Sequence, residues 1–225
     1  MLDRDVFADL ARYDAATVSN AIESFEVRPR TEGFTDSTLQ CMYPDLPPVV
    51  GRAVTCRLEN STASRSRPNR LPDLLDTVRA MTDPVVVVCA HVGDDPDRSC
   101  LAGDIISAML QRLGAVAAIT DCAARDLDVV RRRAPGFQLF ARGHVASHGA
   151  GTIVEVGREV TVAGLLVRPG DIIHADHNGV VAVPERVAAS VAAAAQQVLD
   201  VEEALQRRIH AASFDYEALR ADFTH

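Results

Sequence analysis

The sequence predicts an α/β fold, and three observations carry that prediction. Aromatic residues make up 4% of the 225 residues and tryptophan is absent. The core must therefore be built from Val, Ala, Leu and Ile, which suits tight α/β layers. Residues 85–90 read VVVVCA and residues 115–120 read AVAAIT. Continuous apolar runs of this length are strands of a sheet covered on both faces. Helical spacing of apolar residues over 71–80 and 103–113 precedes each run.

Hydrophobic residues make up 48% of the chain and charged residues 24%, a globular balance. The net charge of -8 speaks against general nucleic-acid binding. No apolar run approaches the ~20 residues that span a bilayer. The N-terminus carries acidic residues and no apolar signal region. Five cysteines, an odd number without a C-x-x-C pair, fit reduced thiols in a cytoplasmic protein. There is no lysine, so all 23 basic residues are arginine. Schiff-base aldol chemistry, pyridoxal phosphate attachment and a Walker P-loop are thereby excluded.

Taken in order, residues 4–13 read as a short helix and 14–25 as a second, with Thr17 or Ser19 as its N-cap. Residues 27–48 hold four prolines and form an irregular connection. Residues 49–58 are β-branched and read as strand. A loop follows with Arg65, Arg67 and Arg70, which suit a solvated loop better than an anion site. Leu74, Leu75 and Val78 give the helix at 71–80 its spacing, and Asp83-Pro84 stops it. Residues 91–97, HVGDDPD, are a turn region. The helix of 103–113 buries a stripe of Ile105, Ile106, Met109, Leu110 and Leu113, with Gly114 after its end. A short helical turn follows Arg125-Asp126, then a strand at 137–141. Residues 154–166 contain a strand pair broken by Gly157 and Gly164. Strands 172–175 and 180–183 flank an Asn-Gly hairpin turn at 176–179. A long C-terminal helix runs from Pro184-Glu185 to about Ala211, and the last residues are a weak helix or tail. With no repeat or linker, residues 1–225 read as one domain.

Chemistry concentrates between Gly103 and Asp126. Asp104 opens a helix, where the helix dipole favours a carboxylate. The first-turn N–H groups of Gly103, Asp104, Ile105 and Ile106 can bind an anion such as a substrate carboxylate. Arg125 offers a planar fork for a 2-oxo acid. Asp126 is a hard oxygen ligand for Mg²⁺ or Mn²⁺. The same residues also suit a helix cap and a surface ion pair.

An acidic residue, twenty residues, then Arg-Asp is a pattern that Asp104, Arg125 and Asp126 match. It resembles the RraA-like family, which joins the regulator of ribonuclease activity A to the class II pyruvate aldolases, including 4-hydroxy-4-methyl-2-oxoglutarate aldolase. DAATVSNAI at 14–22 and VRPGDIIHADHNGVVAVP at 167–184 resemble the same family. The likeness covers most of the chain and is weakest over 26–80.

The resemblance implies a three-layer β/β/α swivelling domain with N-terminal helices, assembled as a homotrimer or a dimer of trimers through the C-terminal helix. Asp126 would bind the divalent metal and Asp104 would reach it through water. Arg125 and the amides of Gly103 to Ile106 would hold the pyruvate portion. Glu203 of a neighbouring subunit, with Glu202 next, would complete the metal's water shell. The expected reaction is retro-aldol cleavage of a 4-hydroxy-2-oxo acid to pyruvate, with oxaloacetate decarboxylation as a side activity. Alternatives are a non-catalytic ribonuclease regulator that binds protein, or a lyase acting on another oxo or hydroxy acid. Cys122 departs from the family, which has Gly at this turn. The retained Asp126 favours the enzyme, because the regulators can lose that aspartate.

His144 and His148 have zinc-ligand spacing, but their glycine-rich surroundings read as a loop. Asp176 and His177 serve the hairpin turn, and residues 143–151 lack a dinucleotide fingerprint.

Overall fold

The computed structural model describes residues 5–60 and 67–221; Arg65, residue 4 and the last four residues of the tail lie outside them. Two helices come first, α1 (Asp5–Leu10) and α2 (Ala15–Glu23). The cap of α2 is Asp14, whose Oδ1 accepts from Thr17 N at 2.7 Å. This corrects the expectation of Thr17 or Ser19: Thr17 is the N3 residue that is capped.

A two-residue strand, β1 (Gln40–Cys41), sits inside the stretch expected to be irregular. Then come β2 (Val49–Glu59), α3 (Leu71–Ala80), β3 (Val85–Val92), β4 (Cys100–Ala102), α4 (Asp104–Arg112) and β5 (Ala115–Thr120). They are followed by β6 (Ala123–Ala124), α5 (Leu127–Arg133) and β7 (Gln138–Ala141). Three short strands, β8 (Thr152–Val156), β9 (Val160–Val162) and β10 (Leu165–Val167), precede the hairpin β11 (Ile172–Asp176) and β12 (Gly179–Val183). The chain ends with α6 (Ala188–Ile209) and α7 (Tyr216–Ala221).

The main sheet has the order β1-β7-β5-β3-β2-β11-β12, with β8 also pairing with β2. Strands β2, β3, β5 and β7 run parallel. Antiparallel partners close both flanks. Alternation along the strands separates the two faces. Val85, Val87 and Cys89 of β3 pack with Leu74, Leu110 and Val130 of the crossover helices. Val86, Val88 and Ala90 point the other way, onto Val160, Val162, Leu165 and Val167 of the β9–β10 hairpin. Further along the helical face, α1, α2 and α6 cover Val50, Ile172, Val181 and Val183. Hairpin, sheet and helices make the three layers β/β/α that the resemblance implied. The apolar run in β3 is buried on both faces because the hairpin takes one and the helices the other.

Two local expectations differ from the structure. In α4 the inward residues are Ser107 and Leu110, with Ile106 and Leu113 packed at the edge of the core. Ile105 is 61% exposed. At 100° per residue, Ile106, Leu110 and Leu113 share one side, and Ile105 falls outside it. The late hairpin is also tighter than expected, with Asp176 paired to Gly179 and only His177 and Asn178 between them. Gly179 has φ +132°, a conformation side chains rarely adopt. Asp176 accepts from Asn178 N at 2.7 Å, the turn role expected of it.

No helix among the described residues is long and apolar enough to cross a membrane. All five cysteines are free.

Candidate active site

The site forms beyond the C-terminal ends of the parallel strands, where open α/β sheets place their ligands. After β3, the chain makes a turn and returns as β4, which pairs in parallel with β6. β6 is held on both sides. Ala123 N donates to Ser99 O at 2.9 Å and Arg125 N to Ala102 O at 3.0 Å. On its other edge Ala124 N donates to Gly143 O and Val145 N to Ala124 O, each at 3.0 Å. This ladder sets the residues that follow β4 beside those that follow β6.

Gly103 and the Arg125-Asp126 pair therefore meet. A methyl group on Gly103 would stand 2.8 Å from Asp126 Oδ2 and 3.0 Å from Arg125 Nε. Gly103 is in an extended conformation (φ -121°, ψ -164°), so a Cβ there is opposed by the Asp126 and Arg125 side chains, which would have to shift, and not by backbone angle. It caps α4 without a side-chain hydrogen bond. The first-turn amides of Asp104, Ile105 and Ile106 have no intrahelical acceptor in such a helix.

Arg125 Nε lies 3.2 Å from Asp126 Oδ2, and both side chains are about one-third exposed. The surface ion pair open from the sequence does form, at the mouth of α4. Asp126 adopts φ 56°, ψ 31°, the left-handed region that aspartate tolerates better than most residues. It occupies the cap position of α5 but does not cap it with its side chain. Asp104 does not cap α4 either. Its Oδ2 pairs with Arg133 Nη1 from the last turn of α5, and its side chain is only 16% exposed. Arg133 falls in the short helical stretch expected after Arg125-Asp126, and nothing in the run Arg131-Arg132-Arg133 distinguishes it in sequence.

Cys122 fits without strain, since its φ is not positive. It is fully buried, with Sγ 3.1 Å from Thr120 Oγ1. Burial pushes its thiol up to about 12, so it stays protonated. Asp121, unremarked in the sequence, accepts from His91 N at 2.6 Å, and burial raises its carboxyl above the ordinary value. His91 Nε2 in turn lies 2.7 Å from Ser99 Oγ. These contacts join the ends of β3 and β5 to the start of β4. The terminal position of His91 on an apolar strand was the available signal.

Glu202 and Glu203 lie on α6, which packs against α1 and α2. Glu203 is exposed and pairs with Arg207 at 3.3 Å. No group of three or more metal-binding side chains gathers among the described residues of the single chain. Arg67 pairs with Glu59 and Arg70 with Asp73. His144 forms an isolated parallel β-bridge with Ala124, and His148 lies in a loop.

Comparison with known proteins shows the family and the fold. Residues 15–182 match the model of the RraA-like family, described as Aldolase/RraA. A Halalkalibacterium halodurans protein named "Putative 4-hydroxy-4-methyl-2-oxoglutarate aldolase" is 29% identical over 140 residues, 61% of this chain and 65% of the relative. A Stutzerimonas stutzeri protein of the same name is 32% identical over 88 residues, 39% of this chain and 54% of the relative. The matched stretches thus span less than two thirds of these relatives' own length. Among solved structures, an uncharacterized protein from Pseudomonas syringae superposes with TM-score 0.75 at 23% identity, covering 99% of this chain and 95% of that one. Streptomyces coelicolor RraAS2, described as an unusual member of the RNase ES inhibitor RraA protein family, superposes with TM-score 0.71 at 25% identity, covering 92% and 98%. With its fold, its Asp104–Arg125–Asp126 pattern and a family match over most of its length, the chain belongs to the RraA-like (Aldolase/RraA) family.

Proposed function

We propose that the protein is a divalent-metal-dependent aldolase that cleaves a 4-hydroxy-2-oxo acid such as 4-hydroxy-4-methyl-2-oxoglutarate to pyruvate. The observation that carries this reading is the meeting of Gly103 with Arg125 and Asp126 at the open N-terminus of α4. The curated relatives' names support the reaction class.

The donors suit Mg²⁺ or Mn²⁺. These ions take hard carboxylate oxygens and keep several waters, so one or two carboxylates suffice. Asp126 would hold the ion and Asp104 would reach it through water. Glu203 of a neighbouring subunit, with Glu202 beside it, would complete the shell in a trimer or dimer of trimers. The bound ion supplies Lewis-acid polarisation of the substrate's 2-oxo group.

The chain's own residues do the rest. Arg125 and the amides of Gly103 to Ile106 hold the carboxylate and 2-oxo oxygens in one plane. Arg125 also offsets the negative charge that develops on the 2-oxo oxygen. The 4-hydroxyl proton leaves through water to the Asp104 carboxylate as C4 becomes a carbonyl. The C3–C4 bond breaks and its electron pair passes to C3, which takes a proton to give pyruvate. Loss of CO₂ from oxaloacetate leaves the same electron pair on C3, so decarboxylation is the expected side activity.

The test is pyruvate release from 4-hydroxy-4-methyl-2-oxoglutarate and oxaloacetate with Mg²⁺ or Mn²⁺. Asp126→Asn keeps a side chain that tolerates the left-handed backbone. It should fold normally and lose at least about 100-fold in kcat/KM. No turnover of either substrate by the wild type with metal present rejects the reading.

The likeness to RraAS2 supports a second reading, a non-catalytic protein-binding regulator of ribonuclease activity. In that case Asp126→Asn leaves partner binding intact and there is no activity to lose. A lyase acting on another oxo or hydroxy acid would show instead in a wider substrate panel.

A further inference from the structure

We propose that the cavity shared by Arg28 and Arg168 is a second ligand site, which takes a small organic anion with its carboxylate or phosphate group held by the two guanidinium groups. The proposal stands apart from the aldolase reading. The cavity lies where β11 and β12 meet the segment after α2 and the turn between β9 and β10. Ile172, on its wall, pairs with Arg52 near the start of β2. The cavity is thus at the opposite end of the parallel strands from Arg125 and Asp126.

Arg28 carries the argument. Its side chain is half-buried and folds back over Gly33, where an added methyl group would overlap the guanidinium. Nη1 donates to Ala182 O at 2.6 Å, and Ala182 N donates to Gly33 O at 2.9 Å. The fork is therefore fixed against β12. A guanidinium has five donors. Arg28 uses one, and no carboxylate among the described residues forms an ion pair with it. Burial pulls its pKa below the ordinary arginine value, and the charge of Glu32 offsets this only in part. Arg52, which reaches Glu185 on the cavity wall, shows how the same problem is solved nearby. Its side chain is 14% exposed, and it pairs with both Asp83 and Glu185. Arg28 lacks such a partner, and an enclosed charge needs one.

The rest of the lining suits an anion with a carbon body. Arg168 is the second cation. Its pair with Glu159, at 3.5 Å, is exposed on both sides and so worth little, and Arg168 can turn from it to a ligand. Of the three acids on the wall, Glu185 is held by Arg52 and Asp171 accepts from Arg168 N at 2.7 Å, while Glu32 is exposed. Phe34 and Leu166 line the same cavity and are 42% and 44% exposed. They offer apolar surface to the body of a ligand whose charged end lies on the arginines. The volume, about 410 Å³, holds a molecule the size of benzoate or phenyl phosphate.

Calorimetry of the full chain with phenyl phosphate, benzoate and inorganic phosphate is the test. The organic anions should bind in the millimolar range or tighter, and phenyl phosphate more tightly than inorganic phosphate. Whichever organic anion binds better identifies the head group. Arg28→Gln should weaken this binding about tenfold or more, in line with loss of a charge-assisted hydrogen bond. Arg168→Gln should weaken it as well. Arg28→Lys keeps the charge without the fork and should lose less than Arg28→Gln. Arg125→Gln should bind as wild type does.

No heat with either organic anion overturns the proposal, as does wild-type affinity in Arg28→Gln. Equal affinity for phenyl phosphate and inorganic phosphate overturns the organic ligand. Loss of binding in Arg125→Gln would place the anion in the candidate active site and reject the second site. If the melting curve shows that Arg28→Gln does not fold, the exposed Arg168 decides: unchanged affinity in a folded Arg168→Gln rejects the site.

Discussion

Gly103 is where the missing side chain matters most. Its extended backbone would accept any residue, yet a Cβ would press on both Asp126 and Arg125. Gly103→Ala should therefore leave thermal stability within a few degrees. It should lower kcat/KM about 100-fold, the usual cost of displacing reacting groups by about an ångström. A wild-type rate in a folded Gly103→Ala variant would show that the pair does not work in this geometry. The pattern of Asp104, Arg125 and Asp126 was visible in the sequence as a fixed spacing, but the residues alone also suited a helix cap and a surface ion pair, and the proposed roles come with the family resemblance. What was not legible depends on partners distant in the chain. Arg133 lies 29 residues from the aspartate it touches. The paired carboxylate of Asp121 depends on His91, 30 residues before it. Cys122 looked like a departure, but its backbone is ordinary and its thiol is enclosed beside Thr120. The conformation that needs tolerance is four residues on, at Asp126.

Among the elements, the hairpin β11–β12 supplies buried polar ties to the N-terminal helices, which also pack on α6. Asp176, buried in the hairpin, accepts Ala15 N at 2.9 Å, at the start of α2. His174 is buried in β11 with Nε2 2.9 Å from Tyr13 O, in the link between α1 and α2. That leaves Nδ1 without a hydrogen-bond partner. Burial lowers the imidazole from its ordinary value of 6.5. Between the lowered value and 6.5 the unfolded chain binds the extra proton. Stability is thus fully present above about 6.5 and falls as the pH drops through that window. His174→Gln can still donate to Tyr13 O and does not titrate. Its melting temperature should fall less than that of wild type between pH 7.5 and 5.5, and parallel curves would remove His174 from the account. The sequence placed these strands well because apolar runs and an Asn-Gly turn are local signals. It misplaced the α2 cap by a few residues and the inward stripe of α4 by one. Capping depends on a single hydrogen bond, and the stripe on which neighbours close over the helix.

For the whole molecule, the long helix poses the outstanding problem. α6 has 22 residues and extends about 33 Å. Its first half is anchored by Ala188, Val191 and Ala195. Beyond Val198 it leaves the body: Leu199 and Ile209 are each 37% exposed and Val201 is 69% exposed. Phe214 and Tyr216, just past its end, are exposed as well. An apolar groove of about 460 Å³ lies along α4, lined by Leu75, Ile105, Ala108, Met109 and Leu113, with Arg112 on it. It begins at the residue after Asp104. One surface is apolar and acidic, with Asp200, Glu202 and Glu203. The other is apolar with a single arginine, Arg112, and adjoins the candidate site at Ile105. The exposed apolar residues on both surfaces suit the proposed assembly, in which a neighbour's α6 would bring Glu203 to Asp126. The assembly makes a prediction that no single-chain site makes. Asp126→Asn and Glu203→Gln should each be inactive alone, since every interface then lacks one partner. Subunits of the two variants, exchanged together, form some interfaces carrying both native residues, and pyruvate release should recover to a measurable fraction of wild type. Val201→Glu should weaken association in light scattering and lower activity in parallel, because an exposed valine that is buried on assembly does not accept a charge. Recovery in the mixture would place the two residues on different chains of one site. If exchange is verified and no activity returns, Glu203 is not the residue a neighbour contributes.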